Sequence, residues 1–358
     1  MKILYAIQGT GNGHITRARD IVPALEEKNE VHVLISGLQA DVELDLPVTY
    51  RFKGLGFIFG KTGGVDLVDT YKKNKLKTFF SEISVLPVHE YDLVISDFEP
   101  VSSWACYLHN KPCISLSHQV AVLNKHAPKP RKSDAVGKGF LKRYAPATKK
   151  YGFHFKPYDE HIFTPVIRQQ VREQVIENKG HYTVYLPSYD DKRIIKVLRE
   201  FPDVEWQVFS KHNKAAYTEN NIAILPVNND AFISSMAGAA GILCGAGFET
   251  PAEALFMKKK LLVVPMKNQY EQQCNAAALD EMGVAVIRSF KLKHVEKISN
   301  WIANGTTVEV DYPDCTNDII NKVLTDYVEQ EIATVISDKP AIRSFKRFRH
   351  VLLKKLIA

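Results

Sequence analysis

The strongest constraint on the fold is an alternation of short apolar runs with segments of helical periodicity, which occurs twice along the chain. Parallel strands need a crossover connection, usually a helix, so this alternation predicts parallel sheets covered by helices on both faces. The chain has 358 residues, more than one hydrophobic core usually supports. We therefore expect an α/β protein with two Rossmann-like domains whose parallel sheets face each other across a ligand cleft.

The two rounds of alternation define the expected domains. Strands are predicted at residues 2–7, 31–35, 92–96 and 112–116 in the first round, and at residues 182–186, 204–209, 222–225, 241–244 and 260–264 in the second. Between residues 124 and 165 the pattern stops and five prolines interrupt a basic stretch, which predicts a long loop connecting the domains. We place the domains at 1–160 and 161–330, followed by a basic C-terminal helix at 331–358 that packs back on the first domain or lies on an anionic membrane surface.

The segment from Gly245 to Asn275 carries the clearest functional pattern. A buried strand at 242–244 leads into a glycine turn, and Thr250-Pro251-Ala252-Glu253 predicts a helix start with Pro at the first helical position. The free N–H groups and partial positive charge of a helix N-terminus suit a diphosphate. Thr-x-x-Glu is equally a capping box, in which Glu253 returns to the backbone N–H of Thr250 without any ligand. Both interpretations remain open from these residues alone.

A second polar cluster follows the strand 260–264. It reads Asn-Gln-Tyr-Glu-Gln-Gln-Cys-Asn-Ala over residues 268–276, with a helix predicted at 272–282. Parallel α/β sheets bind ligands at the carboxyl ends of their strands, where this cluster should lie. The alternative is a solvated loop that caps a helix.

Together, Gly-x-Gly-x-x-Thr-x-x-Glu, an apolar strand ending in Pro, and Glu-Gln-x-x-Asn-Ala resemble the nucleotide-sugar signature of the family 1 and family 28 glycosyltransferases. The peptidoglycan N-acetylglucosaminyltransferase is an example of this group. The resemblance implies the two-domain GT-B fold and transfer of a sugar from a nucleoside diphosphate, expected to be UDP, to an acceptor hydroxyl. It further implies an inverting reaction. Two other functions on the same fold stay open: a nucleotide-sugar 2-epimerase and a non-catalytic nucleotide-sugar-binding protein.

The resemblance also assigns donor-binding roles by position. Glu253 would accept hydrogen bonds from the ribose hydroxyls, because a carboxylate offers two acceptor oxygens to vicinal hydroxyls. The other expected donor contacts are Gly247 and Thr250 at the diphosphate, Glu271, Gln272 and Gln273 at the sugar, Val227 at the base, and Ser188 as a further phosphate donor. The sequence departs from the family at two positions. Gly245 stands where many members carry a phosphate-contacting His, and Glu249 is an unusual neighbour for a diphosphate.

The first strand runs into the glycine-rich turn Gly9-Thr10-Gly11-Asn12-Gly13-His14. A dinucleotide fingerprint would need Gly at position 14 and an acid after the second strand, and neither is present. The turn instead resembles the Gly-His turn that lines the acceptor side of the cleft in the same glycosyltransferases. Gly11 and Gly13 would therefore face the acceptor.

Attack of an acceptor hydroxyl on the anomeric carbon requires a base, and a histidine titrates near neutral pH without assistance. His14 is the first candidate, with an exposed or capping histidine as the alternative. Asp97 would orient His14 or act as the base itself, unless it only caps the helix expected from Val101. His118 is a third candidate for the base. Arg17 would contact diphosphate or an acidic acceptor, or would be solvated on its helix.

The charge pattern adds expectations about cofactors and partners. No Asp-x-Asp is present, so we expect no metal and no other cofactor, with the helix dipole near Thr250 stabilising the leaving group.

The net charge of +7 is concentrated in residues 125–156 and 339–358. The remainder is net acidic, which excludes a protein that coats nucleic acid. The two basic stretches either contact a membrane carrying a lipid-linked acceptor, or are solvated while a small glycan is the acceptor. With no signal peptide and no spanning segment in the sequence, we expect a cytoplasmic protein, with peripheral membrane association left open.

Overall fold

The computed structural model describes residues 1–10, 12–37, 44–55, 59–60, 64–65, 76–131 and 134–337. These residues form two large sheets of seven strands each, with helices on their faces. The predicted architecture of two Rossmann-like α/β domains is therefore confirmed. Among the described residues, no helix is both long and apolar enough to cross a bilayer.

The first domain is built on a fully parallel sheet. Its strands are β1 (Lys2–Gln8), β2 (Glu30–Ser36), β3 (Tyr50–Phe52), β6 (Leu93–Asp97), β7 (Cys113–Leu116), β8 (Lys149–Phe153) and β9 (Ile162–Phe163), while β4 (Phe59–Gly60) and β5 (Gly64–Val65) pair separately. The spatial order is β3-β2-β1-β6-β7-β8-β9. The helices are α1 (Asn12–Glu26), α2 (Leu76–Val85), α3 (Pro100–His109), α4 (His118–Leu123) and α5 (Ala135–Tyr144).

The second domain repeats this plan. Its strands are β10 (Tyr182–Tyr185), β11 (Trp206–Ser210), β12 (Tyr217–Glu219), β13 (Ile222–Pro226), β14 (Gly241–Gly245), β15 (Lys260–Val264) and β16 (Ala285–Val286). Their order is β12-β13-β11-β10-β14-β15-β16, parallel throughout except for β12 against β13. The helices are α6 (Gln169–Arg172), α7 (Asp191–Leu198), α8 (Asn229–Gly238), α9 (Glu249–Phe256), α10 (Tyr270–Glu281), α11 (Val295–Asn304) and α12 (Thr316–Ser337).

The long loop predicted at 124–165 is wrong. This region contains α5 and the strands β8 and β9, which complete the first sheet. The prolines that suggested a loop lie in the connections: Pro146 precedes β8, and Pro157 lies between β8 and β9. A proline between elements removes no ladder hydrogen bond and so does not oppose either strand. The chain passes from the first sheet to the second between Phe163 and Tyr182.

The central strand β1 shows why the sheet has two covered faces. Leu4 and Ala6 pack into one apolar cluster, whereas Ile3, Tyr5 and Ile7 pack into another, and all five are fully buried. Successive strand residues point to opposite faces, so a run of apolar residues without polar alternation requires cover on both sides. Each large aliphatic side chain buried here stabilises the fold by about 1.5–3 kcal/mol.

The helix α12 returns to the first domain and packs on α1. Ile319, Ile320 and Val323 are buried along one side of the helix. The hydroxyl of Tyr327 donates a hydrogen bond to the carbonyl oxygen of Asp92, at 2.7 Å. The returning helix thus begins at Thr316, ahead of the basic segment predicted for this role, and residues 339–358 lie outside the described residues.

Candidate active site

His14 and Asp97 meet at the carboxyl edge of the first sheet. Strands β1 and β6 are neighbours in register, with Ile7 opposite Asp97, so the turn after β1 lies beside the end of β6. His14 is in the first turn of α1, and its Nδ1 lies 2.8 Å from Asp97 Oδ1. The Asp97 side chain is fully buried, while that of His14 is 13% exposed. The structure therefore brings together the residues predicted as base and orienting carboxylate.

Arg17 completes this group from the next turn of α1. Its Nη2 lies 2.7 and 2.8 Å from the two carboxylate oxygens of Asp97, and its guanidinium lies 5.2 Å from the centre of the Phe153 ring. The side chain is only 2% exposed. The interpretation of Arg17 as a solvated surface residue is therefore wrong, because the guanidinium points inward to a buried carboxylate.

The charges in this group shift one another's pKa values. Burial disfavours the imidazolium of His14, but the charge and hydrogen bond of Asp97 outweigh burial, and the pKa of His14 is raised above its ordinary value. Burial likewise disfavours the carboxylate of Asp97, but Arg17 and His14 overcome it and hold its pKa below its ordinary value. Asp97 is thus an anion at neutral pH, and it makes His14 a stronger base.

The backbone after Asp97 explains why this residue does not act as a cap. Glu99, not Asp97, is the N-cap of α3, and its carboxylate accepts hydrogen bonds from the N–H groups of Val101 and Ser102. The intervening Phe98 has a φ of 57°, in the left-handed region that non-glycine residues rarely adopt. The helix-cap alternative for Asp97 is therefore wrong, and its side chain remains available to His14 and Arg17.

His118 has a different environment. Its Nδ1 lies 2.8 Å from the carbonyl oxygen of Phe153, and its Nε2 lies 2.8 Å from Oδ1 of Asn275 in the second domain. The ring stacks on Phe248 with 4.0 Å between centroids, and burial lowers the pKa of His118. With both ring nitrogens hydrogen-bonded and the residue 2% exposed, His118 serves to join the domains. The geometry argues against it as the base.

The glycine turn of the second domain differs from its prediction in detail. Helix α9 begins at Glu249, two residues before the predicted start, and its N-cap Phe248 provides no side-chain cap. The capping-box alternative is therefore wrong, because Thr250 already lies in the first turn. Gly247 is half-buried, and a Cβ atom added there would meet no heavy atom within 4 Å. The turn therefore leaves open space at the Gly247 Cα, just before α9.

Glu253 has a partner that the sequence did not indicate. Arg168 Nε lies 2.5 Å from one of its carboxylate oxygens and Arg168 Nη2 lies 2.8 Å from the other, while Arg168 Nη1 reaches Asn229 at 2.7 Å. Glu253 is 2% exposed. Each carboxylate oxygen has a second lone pair, so a ribose would bind beside Arg168 or displace it. The ribose role of Glu253 stays a prediction.

The polar cluster of the second domain forms the first turn of α10. Glu271, Gln272 and Gln273 are all half-buried there, with Gln269 as the N-cap accepting from the N–H of Gln272. The helix starts at Tyr270, earlier than predicted, because Gln269 provides this cap. The side-chain oxygen of Gln272 accepts from the N–H of Met266 at 2.9 Å.

Polar side-chain contacts cross the cleft beside the predicted base. Besides His118 with Asn275, Arg17 Nη1 lies 2.5 Å from Glu249 Oε1, and Gln119 Nε2 donates to Glu271 Oε2 at 3.0 Å. The same Gln119 nitrogen lies 3.3 Å from His14 Nε2. Gln119 thus lies between the predicted base and the predicted sugar-binding carboxylate. No local sequence motif indicates this role for Gln119.

The remaining predicted residues lie at or near the cleft edge. Ser188 and Val227 are half-buried and follow β10 and β13 at the carboxyl end of the second sheet. Gly13 lies against Glu249, since a Cβ there would come within 2.3 Å of the carboxylate. Gly11 lies outside the described residues.

A cavity of about 480 Å³ lies elsewhere, beside β16 and α11, and contains none of the predicted site residues. Within the described parts of the chain, no cluster of three or more His, Cys, Asp or Glu is arranged to hold a metal ion.

Comparisons with known proteins agree with this architecture. A family model described as glycosyl transferase family 1 matches residues 1–304. A search of curated protein sequences finds no significant match. The fold is similar to that of UGT89C1 from Arabidopsis thaliana in complex with UDP, with 13% identity, a TM-score of 0.57 and 99% of each chain covered. It is similar to MurG from Acinetobacter baumannii, with 14% identity, a TM-score of 0.52, and 90% of this chain and 99% of that chain covered. It is also similar to SsfS6 from Streptomyces sp. SF2575 in complex with thymidine diphosphate, with 14% identity and a TM-score of 0.54. The match covers 91% of this chain and 99% of that chain.

Proposed function

Because the chain belongs to glycosyl transferase family 1 and is a glycosyltransferase of the GT-B fold, we propose that it transfers a sugar from UDP to an acceptor hydroxyl with His14 as the base. The single observation that supports this proposal most strongly is the 2.8 Å contact between His14 and the buried Asp97. A carboxylate hydrogen-bonded to one imidazole nitrogen fixes the tautomer and leaves the other nitrogen free to accept a proton.

The proposed reaction follows from this geometry. His14 donates its Nδ1–H to Asp97, which leaves the lone pair on Nε2. The acceptor hydroxyl would take the place of the Gln119 amide, which lies 3.3 Å from Nε2, and would give its proton to that nitrogen. The acceptor oxygen forms a bond to the anomeric carbon while the bond from that carbon to the diphosphate oxygen breaks, with inversion. The nucleoside diphosphate leaves with the electron pair, and the proton on His14 passes to solvent. Asp97 stabilises the imidazolium that forms.

Donor binding is proposed for the second domain. The N-terminus of α9, with Gly247 and Thr250, would hold the diphosphate, and Glu271 and Gln272 would hold the sugar hydroxyls. UDP is proposed because UGT89C1 was solved with UDP, and thymidine diphosphate is the natural comparison because SsfS6 was solved with it. The absence of Asp-x-Asp from the sequence supports a metal-independent reaction, in which the dipole of α9 stabilises the leaving diphosphate.

The acceptor is proposed to be lipid-linked, with a small glycan as the alternative. Helix α5 lies within the basic stretch 125–156 and carries Val136, which is 69% exposed, close to the exposed Lys138 and Lys142. An exposed apolar residue among lysines suits an anionic membrane surface, where each basic residue contributes about 1 kcal/mol. The wild-type protein should sediment with vesicles containing phosphatidylserine but not with pure phosphatidylcholine, and Val136→Glu should bind less. Equal sedimentation of the protein with both kinds of vesicle would favour the small glycan as the acceptor.

The donor proposal is tested by thermal unfolding with UDP, UDP-glucose, UDP-N-acetylglucosamine, thymidine diphosphate and NAD. A ligand at about 100 times its dissociation constant adds about 2.7 kcal/mol to the free energy of unfolding, so the midpoint should rise with the uridine compounds. A larger rise of the midpoint with thymidine diphosphate would show that the donor carries thymidine and not uridine. A rise with NAD alone would contradict the proposal. Release of free sugar without any acceptor would instead indicate a 2-epimerase. Binding without turnover would indicate a non-catalytic protein.

A further inference from the structure

Glu249 belongs to the second domain but contacts the first. It is the first residue of α9, and its Oε1 accepts from Arg17 Nη1 at 2.5 Å. Its other oxygen lies so close to Gly13 that a Cβ there would come within 2.3 Å. The Glu249 side chain is 24% exposed, whereas that of Arg17 is 2% exposed. A carboxylate that is unusual beside a diphosphate therefore has a charged partner on the opposite side of the cleft.

Arg17 connects Glu249 to the base. One guanidinium nitrogen contacts Glu249, while Nε and Nη2 contact the carboxylate of Asp97. Asp97 in turn contacts His14 at 2.8 Å. A guanidinium is planar and its donors are fixed in a fork, so a carboxylate holding one side of the fork also sets the orientation of the other side. The four side chains form one continuous row that crosses the cleft.

The charges around His14 come from both domains. The charged groups that face His14 are Asp97, Arg17 and Glu249. Arg17 disfavours the imidazolium, whereas Asp97 and Glu249 favour it. Separation of the two domains would remove Glu249 from this row and leave the charge of Arg17 balanced by Asp97 alone. Closure thus changes both the geometry and the charge around His14.

We propose that Glu249 is a positioning residue: it holds Arg17 on Asp97 from the opposite domain, so that the His14–Asp97 pair is fully assembled only when the cleft is closed. Its catalytic consequence rests on the proposed function, in which His14 is the base. In the open cleft His14 is then a weaker base, and water that enters is activated less. Glu249 does not touch the reacting atoms.

The first test needs no donor. With histidines labelled with ¹³C at Cε1, the titration of His14 is followed by NMR in the full-length protein, and its signal is identified by its loss in His14→Gln. Glu249→Gln should lower the pKa of His14 by about half a unit or more, since it removes a nearby negative charge. Glu200→Gln, which changes an exposed carboxylate of the second domain, is the matched control and should leave the titration unchanged. An unchanged pKa of His14 in Glu249→Gln overturns the proposal.

The second test measures turnover of UDP-glucose and UDP-N-acetylglucosamine. Glu249→Gln should lower kcat about tenfold with an unchanged KM, as expected when a base is weakened without loss of binding. Glu249→Asp, which restores the charge on a shorter side chain, should recover part of both kcat and the pKa of His14. Tighter UDP binding by Glu249→Gln with unchanged kcat overturns the proposal, because Glu249 would then act only by repelling the diphosphate. If neither compound is turned over by the wild type, the proposed donor fails, while the titration still decides the role of Glu249.

Discussion

The two sides of the cleft differ in how complete they are. On the first domain, His14, Asp97 and Arg17 are already hydrogen-bonded to one another around a fully buried carboxylate. On the second domain, the space at Gly247 is open and the first turn of α10 is half-buried. A group that transfers protons benefits from fixed geometry, whereas a site for a large charged donor must admit and release it. This difference supports the proposal that the chemistry takes place on the first side and that the second side binds the donor.

The largest expected effect concerns the base. His14→Gln should lower kcat by about 10²–10⁴-fold, the usual contribution of a general base, while the dissociation constant of UDP changes by less than about twofold. Turnover of the donor identified by thermal unfolding and calorimetric titration with UDP measure the two quantities. His126→Gln, at an exposed histidine of the same domain, should change neither. A loss of UDP affinity with unchanged kcat would show that His14 binds the donor and is not the base.

The next effect concerns the buried pair of Arg168 and Glu253. Arg168→Met leaves the Glu253 carboxylate buried without its partner, which should lower the free energy of unfolding by about 3–5 kcal/mol. Replacing both residues by Met should recover most of this loss, since no buried charge remains. Urea unfolding measures the free energy of unfolding of the wild type, the single variant and the double variant. Arg172→Met, whose guanidinium donates to the carbonyl oxygens of Ile167 and Tyr312, should cost about 1 kcal/mol and serves as the control. A double variant as unstable as the single one would show that the ion pair is not the cause.

The pH dependence of stability should distinguish two kinds of histidine. Burial, assisted by His118, holds the pKa of His154 well below its ordinary value. The unfolded chain therefore binds the proton first, and stability is lost as pH falls below about 6.5, by at most about 1.4 kcal/mol per pH unit. His154→Gln should remove this slope in unfolding experiments between pH 7 and 5. The raised pKa of His14 has the opposite sign, because its stabilisation is complete at low pH and is lost as pH rises through that pKa. An unchanged slope in His154→Gln would assign the acid sensitivity to other groups.

The smallest effect compares two glycines across the cleft. Gly13→Ala should change the free energy of unfolding by at most about 1 kcal/mol, because its Cβ would displace only the flexible end of the Glu249 side chain, while alanine favours the helix α1. Gly247→Ala should change it by less than about 0.5 kcal/mol, because its Cβ would meet no atom within 4 Å. Only Gly247→Ala should weaken UDP binding, since the proposed diphosphate lies against it. Unchanged UDP affinity in this variant would place the diphosphate elsewhere.

Much of the fold could be predicted from local patterns. The strand runs and the helices between them follow from apolar periodicity, and the carboxyl-edge rule for parallel sheets brings His14 close to Asp97. The motif does not fix the start of α9, because Thr250 and Pro251 are equally suitable for the interior of a first turn. The sequence pattern does not predict the helix α5 or the strands β8 and β9, because the prolines near them also indicate a loop.

The contacts of the site could not be predicted in the same way. Arg168 is 85 residues from Glu253, and Gln119 is 152 residues from Glu271. Neither pair produces a periodic signal, because the partners meet only in the tertiary structure: Arg168 and Glu253 within the second domain, and Gln119 and Glu271 across the cleft. The unusual Glu249 was visible in the sequence, but its partner Arg17 lies 232 residues away on the other domain. A local motif identifies a candidate residue, and the tertiary structure determines its partner.

The return of α12 to the first domain has a consequence for motion. The chain crosses between the domains twice, once between β9 and β10 and again between α11 and α12. A single connection would leave the second domain free to twist as well as to bend, whereas two separate connections favour rotation about the one line that passes through both. Opening and closing should then follow a single reproducible path, which returns Glu249 to the same guanidinium in every cycle.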